Sequence, residues 1–413
     1  MSTWAPLAAR AIGLARVQAT NFRQGLAALV VATAANLVAG LTLGLMSGTL
    51  ERLPSLFILV PAAIALRGNV FGALGSRLGT AVHTGQWDGR ARAPSRRSYL
   101  GQNLEASVIL TLFISAAVAV LAREASRLAG LPAISFLEFL TVSVVGGLLA
   151  SALVLAITLA TAVISARRGW DMDNVAAPVV TAAGDLITIP SLWLATFLLV
   201  GPVPEIVGLA TLAALGVAGL PLVRRRDLET MRDIVRQSAP ILLLAGLIDV
   251  IAGLTIEGRG KEFFVLPALL VLLPPLLADA GALGGILSAR LSSRLHLGSL
   301  EPRAVPGKEG LEDILLSYLL AVPIFLVVGW GAGLLSAAAG LAGLGLGTTV
   351  ALSLLAGLVV TTGAVFVAYY SAILSFRLGL DPDNYGIPTI TAGMDLLGVL
   401  ALVASLVILG VAA

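Results

Sequence analysis

The chain contains one long stretch twice. Residues from Arg23-Gln24 to Gly85 align without a gap onto Arg236-Gln237 to Gly298 at a spacing of 213 (236 − 23). The alignment carries Leu53-Pro54, Pro61, Gly68, Arg77-Leu78 and His83 onto Leu266-Pro267, Pro274, Gly281, Arg290-Leu291 and His296. A second pair follows at a spacing of 210 (381 − 171), in which Asp171, Asp173, Asn174, Pro178, Thr181 and Asp185 meet Asp381, Asp383, Asn384, Pro388, Thr391 and Asp395. A duplicated chain builds one unit twice, so polar residues kept in both copies need a reason that applies to both.

Composition says what the unit is made of. With 58% hydrophobic and 12% charged residues, several apolar runs reach the roughly 20 residues that cross a bilayer core. The chain is expected to be an all-α polytopic membrane protein with about eleven spanning helices. No n-region, h-region and cleavage site occur in the order of a signal peptide, so the first apolar run is expected to stay as a span. The absence of cysteine excludes disulfides and thiolate metal sites, leaving oxygen ligands and two histidines.

Apolar runs between charged or Gly/Pro punctuation place helices in the first copy near 25–47, 53–84 (broken by Pro61 and Gly68), 103–122, 136–165 and 175–200. The second copy has them near 238–256, 265–295, 312–335, 347–376 and 385–411, and one run without a counterpart lies near 205–222. The expected organisation is a cytoplasmic segment at 1–24, a five-helix repeat at 25–201, a linking helix at 202–226 and a second five-helix repeat at 227–413. Five helices is an odd number, so the added crossing restores a parallel orientation of the copies. Arginine and lysine agree. With the N-terminus inside, the cytoplasmic segments collect Arg90, Arg92, Arg96, Arg97, Arg167, Arg168, Arg224, Arg225, Arg226 and Arg303, while the outer loops keep only Arg52, Arg123, Arg127, Arg259 and Lys261. This predicts a multi-pass cell-membrane protein with its C-terminus outside.

The fifth helix of each repeat carries the sharpest chemical signal. Asn174, Pro178, Thr181 and Asp185 stand four, three and four apart, as do Asn384, Pro388, Thr391 and Asp395, so each set forms one stripe on one helix face. An aspartate deep in a bilayer costs at least about 2.5–3.5 kcal/mol, which drives it to a partner or a wet cavity. If a pseudo-twofold axis relates the repeats, Asp185 and Asp395 face each other across it, and two such carboxylates repel unless a cation sits between them. The competing reading makes each aspartate a structural hydrogen-bond acceptor and each threonine interhelical glue. Asp171, Asp173, Asp381 and Asp383 begin their helices, where N-capping is an equal explanation.

The run Asp381-Pro-Asp-Asn-Tyr-Gly-Ile-Pro-Thr-Ile-Thr391-Ala-Gly-Met-Asp395-Leu-Leu-Gly398 resembles the last-helix motif of the MgtE magnesium transport family. Leu66-Arg67-Gly68-Asn69 through Arg77-Leu78 resembles the second-helix motif of its fused, two-repeat branch, which includes animal solute-carrier magnesium transporters. The resemblance covers nearly the whole chain. It implies that Asp185 and Asp395 are the central cation ligands, that Asn69 and the starts of the fifth helices line the path, and that Mg2+ is the transported ion. It also implies a pathway between the two repeats and a monomer sufficient for transport, with a dimer compatible. Long MgtE proteins carry a cytoplasmic CBS sensor, for which the segment before the first helix has no room, so gating is expected to use another element, a partner, or nothing.

The copies also differ. Asn69 is replaced by Ala282, Leu66 by Asp279, Arg67 by Ala280, and Asn36 by Asp249. Asp249, Asp279 and Asn36 therefore join the candidate metal ligands as features of one side only. Arg67 is a membrane-depth cation in one copy, expected either to pair with Asp279 or to snorkel along its helix. Magnesium suits this set, because it prefers oxygen and keeps several waters, so a few carboxylates and amides suffice. His83 and His296, beside basic helix ends, read as interfacial rather than as ligands of a softer metal. No phosphate loop, HExxH pair or Ser-His-Asp grouping occurs, and nothing points to an organic cofactor or nucleic acid. The alternative function is an intramembrane enzyme acting on a lipid-linked substrate with an aspartate as acid or base. An enzyme would normally leave one copy vestigial, whereas both copies here keep Asn, Pro, Thr and Asp.

Overall fold

The computed structural model describes residues 19–87, 95, 97–168, 172–224, 228–378 and 382–411. They form thirteen α-helices and, among the described residues, no strand. In order these are α1 (Ala19–Leu45), α2 (Ser47–Arg52), α3 (Leu59–His83, entered through a 3-10 turn at Leu56–Ile58), α4 (Tyr99–Leu128), α5 (Phe136–Arg168), α6 (Met172–Thr196) and α7 (Val203–Arg224). There follow α8 (Glu229–Glu257), α9 (Gly260–Val265), α10 (Ala268–His296), α11 (Lys308–Ala338), α12 (Leu346–Leu378) and α13 (Pro382–Ile408). Among the described residues, nine helices are long and apolar enough to cross a membrane, and α1 and α7 hold shorter apolar stretches at Leu29–Leu45 and Val203–Gly219. The chain is a polytopic all-α membrane protein.

The helices overrun the apolar runs that announce them. The run at 238–256 belongs to a helix that starts at Glu229, and the run at 103–122 to one spanning Tyr99–Leu128. Hydropathy marks the part inside lipid, whereas backbone hydrogen bonding continues past the interface until a cap stops it. At α4 that cap is Ser98, whose side chain accepts from the Gly101 N–H at 3.1 Å.

The expected break at Pro61 and Gly68 does not occur, because α3 runs unbroken from Leu59 and Pro61 falls in its first turn, where the missing N–H costs nothing. The chain breaks earlier, at Ser55, which takes a left-handed φ of 63°. Two contacts hold it there: its N–H donates to Glu257 Oε1 at 2.9 Å, and its hydroxyl donates to the Pro132 carbonyl at 2.7 Å.

The chain divides into two compact units, one of Leu45–Gly260 and the other of Lys261–Ala413 together with the segment ending at Gly44 that contains α1. The units are thus cut differently from the sequence repeats, since each is completed by the first helix of the other repeat. In the Leu45–Gly260 unit, α8 packs on α3 and α4, and α6 packs on α3 and α5. In the other unit, α10 packs on α11, α12 and α13.

Matched positions make matched contacts inside each unit. A Cβ added at Gly40 of α1 would overlap the Val271 carbonyl of α10, and one at Gly253 of α8 would lie 2.5 Å from the Ile58 carbonyl at the start of α3. The two glycines are 213 apart, and so are their two partners. Ser143 Oγ donates to the Ser115 carbonyl at 2.7 Å, as Ser353 Oγ does to the Phe325 carbonyl at 2.7 Å. The contacts differ where the side chains do. Arg77 Nε donates to Asn103 Oδ1 at 2.8 Å, while its counterpart Arg290 reaches Asp313 Oδ1 at 2.9 Å and Arg294 pairs with Asp313 Oδ2 at 3.0 Å. One unit thus neutralises the basic end of its second helix with a buried carboxylate, and the other meets it with an amide.

Candidate cation site

In the Leu45–Gly260 unit the threonine of the stripe faces the glycine of the second helix. The Thr181 methyl of α6 stands 3.6 Å from the position a Cβ on Gly68 of α3 would take, and Gly184 lies against Arg67 and the Gly68 backbone. Two small residues let the helices approach closely here. One turn further along α6, Asp185 is buried, at 5% exposure. Thr188 follows and donates back to the Gly184 carbonyl at 2.6 Å, which turns its hydroxyl away from the stripe. Asn69, next to Gly68, is half-buried.

The other unit repeats this arrangement. The Thr391 methyl of α13 stands 3.7 Å from the Cβ position of Gly281 on α10, and Asp395 one turn on is 7% exposed. Thr181 itself is exposed and Thr391 is half-buried. Each unit therefore carries a buried carboxylate one helical turn from a threonine–glycine contact. The side chains of Asn174, Pro178, Asn384 and Pro388 lie outside the described residues, as do those of Asp171, Asp173, Asp381, Asp383, His83 and His296.

Arg67 is 1% exposed, so it does not snorkel along its helix. Its Nη1 donates to the Ala63 carbonyl at 2.5 Å and its Nη2 to Ser115 Oγ at 3.3 Å. The guanidinium occupies the space where a side chain on Gly147 of α5 would stand. Within its own unit the guanidinium is thus met by a carbonyl and a hydroxyl. Ser115 and Gly147 were not legible as partners, because neither lies near Arg67 in sequence and small residues are common in spanning helices.

The remaining acids sort by helix face. Leu277 of α10 meets Gly398 of α13 and Gly281 meets Thr391, so that side of α10 belongs to the stripe. Asp279 lies half a turn away, on the side where Val271 meets Gly40 of α1. There its Oδ2 accepts from the Thr33 hydroxyl at 2.8 Å. Asn36, one turn along α1 from Thr33, is 2% exposed, and Asp279 is 1% exposed. The structure thus sets Asp279 against Thr33 of α1, on the far side of α10 from the stripe that carries Asp395. Asp249 of α8 is 1% exposed, in the other unit. Among the described residues no group of three histidine or acidic side chains could hold a metal ion.

Comparison with known proteins gives this arrangement a context. The MgtE family, described as divalent cation transporter, matches residues 60–195 and 273–405, which include both threonine–aspartate stripes and both second-helix glycines. Solute carrier family 41 member 3 of Rattus norvegicus is 28% identical over 392 residues, covering 87% of this chain and 81% of the relative. Solute carrier family 41 member 2 of Xenopus laevis is 27% identical over 391 residues, covering 87% of this chain and 66% of the relative. The Homo sapiens member 2 is 27% identical over 385 residues, with 84% and 63% covered. No solved structure matches the chain. The family match spans more than half of the chain and falls on both repeats, and the chain belongs to the MgtE family of divalent cation transporters.

Proposed function

We propose that the chain moves magnesium across the membrane, with Asp185 and Asp395 as cation ligands and Thr181, Thr391 and Asn69 beside them. Asn174 and Asn384 extend the same stripes toward the helix starts. Family membership favours transport over an intramembrane enzyme. The observation that carries the ligand assignment is the matched placement of the two aspartates, each buried and each one turn from a threonine against a second-helix glycine. Magnesium keeps much of its water, so a few carboxylates and amides suffice to hold it, whereas calcium takes six to eight oxygens directly.

Uptake into proteoliposomes at an imposed voltage tests the proposal. Magnesium is expected to enter faster than into protein-free vesicles, and repeating the assay with and without sodium and proton gradients separates channel from exchanger. No divalent uptake, or uptake of calcium in preference to magnesium, would overturn it.

Orientation follows from the basic residues. Reporter tags after Gly201 and after Ala413 are expected outside, and a tag within Arg224–Arg226 inside. A C-terminal tag that reports from the cytoplasm would show that the copies are not parallel.

A further inference from the structure

A glycine on the fourth helix of each repeat leaves room for a neighbour's side chain, and the two units fill that room differently. A Cβ on Gly147 of α5 would overlap the Arg67 guanidinium, whereas one on Gly357 of α12, its counterpart 210 residues on, would overlap the Phe325 ring. Phe325 of α11 is the counterpart of Ser115 of α4, and Ala280 of α10 is that of Arg67 of α3. One unit therefore fills the slot from its third helix with a phenyl ring. The other fills it from its second helix with a guanidinium, which needs the small Ser115 beside it. Arg67, Ala280 and Phe325 are all buried. Either filling satisfies packing, so volume does not account for the charge.

A phenyl ring occupies such a slot at no electrostatic cost, and an arginine does not. Within its unit Arg67 meets a carbonyl and a hydroxyl, both neutral, and its Nε is buried without a hydrogen-bond partner. A buried cation held by neutral groups is costly unless a negative charge lies in range. The α6 stripe supplies one. Gly184 packs against Arg67, whose Cβ lies 3.5 Å from the position a Cβ on Gly184 would take, and Asp185 is the next residue. Buried charges interact well beyond contact distance, because little water lies between them to weaken the field. In the other unit Met394 stands in place of Gly184 next to Asp395, and the matched slot holds the Phe325 ring.

We propose that Arg67 is a resident counter-charge of the Asp185 site, which weakens cation binding there and so speeds release. The inference rests on the proposed magnesium ligands. With the site empty, Arg67 balances part of the Asp185 charge. An arriving magnesium ion competes with Arg67 for that charge and is repelled by it twice as strongly as a monovalent ion would be. Asp395 has no such competitor in the matched slot of its own unit, so one chain carries a tighter and a looser carboxylate. Arg67 acts through Asp185 and touches no ion itself, which makes it a positioning residue.

The contents of the two slots can be exchanged, and this supplies the test. Arg67→Ala with Ser115→Phe gives the Leu45–Gly260 unit the packing of the other unit and removes the charge. In the full chain this variant should stay folded and bind magnesium about tenfold more tightly or better, by isothermal titration calorimetry. In proteoliposomes its half-saturating magnesium concentration should fall by a similar factor, and its maximal uptake rate should fall as well. Arg67→Lys keeps the charge and should stay close to the wild type in affinity. Arg67→Met removes the charge alone, should tighten binding, and serves if the exchanged variant does not fold. A merely structural role would lower the maximal rate without tightening binding, in Arg67→Lys as in the others, and that result would overturn the proposal. So would a folded exchanged variant that binds magnesium no more tightly than the wild type. A wild-type protein that neither binds nor moves magnesium would overturn the magnesium reading and this inference with it, whereas a wild type that binds and variants that do not tighten would overturn this inference alone.

Discussion

Asp185→Asn and Asp395→Asn should each lower divalent uptake more than tenfold while leaving the protein folded in the membrane. Asparagine keeps the size of the side chain and removes its charge. At an effective dielectric constant of about 20, a unit charge 4 Å from a monovalent ion contributes about 4 kcal/mol, and about twice that for a divalent ion. A loss of only about 1.4 kcal/mol already amounts to a factor of ten. Asparagine also keeps an oxygen that accepts hydrogen bonds, so the variants should remain folded in the membrane. Flux measured alongside thermal unfolding separates the two effects. Wild-type uptake in the double variant would end the ligand assignment, and a fall in flux that merely tracks a fall in folded protein would make the aspartates structural.

The aspartates were legible because duplication marks them. In a chain with 58% hydrophobic residues, a polar residue retained at a matched position stands out, whereas one kept in a single copy does not. Thr33 illustrates the second case: its counterpart is Gly246, so comparison of the copies passes over it although its hydroxyl donates to Asp279. Arg67 was visible as an oddity but its partners were not, since a backbone carbonyl is silent in sequence and Ser115 lies 48 residues away.

The assignment of α1 to the unit built from the second repeat was hidden for a different reason. Helix faces in a duplicated chain are nearly interchangeable. The surface that receives Gly40 at Val271 is the counterpart of the one that receives Gly253 at Ile58, so packing within a repeat and packing by exchange satisfy the same pattern of small and apolar residues. Sequence periodicity reports which faces are sticky and not which copy each one meets. Loop lengths and orientation decide that, and they enter only when the chain is folded.

That exchange makes Gly40 and Gly253 the positions where a small change should do most damage to the fold. An added methyl at Gly40 meets the Val271 carbonyl, and at Gly253 it meets the backbone of Ile58. A side chain in the way can rotate; a backbone carbonyl inside a helix cannot, so the helices must separate. Overpacking costs about 1–3 kcal/mol. In lipid the separated faces gain no hydrophobic compensation for the van der Waals contact they lose. Gly40→Ala and Gly253→Ala should therefore each lower the melting temperature by several degrees, and Gly40→Leu with Gly253→Leu should leave little monodisperse protein after extraction. Gly216→Ala supplies the contrast, because a Cβ there meets nothing within 4 Å. Alanine also favours a helix over glycine by about 1 kcal/mol, so this variant should be as stable as the wild type or more so. If Gly40→Ala and Gly253→Ala melt with Gly216→Ala, the close approach of α1 to α10 and of α8 to α3 does not hold the units together, and exchange of the first helices loses its energetic basis.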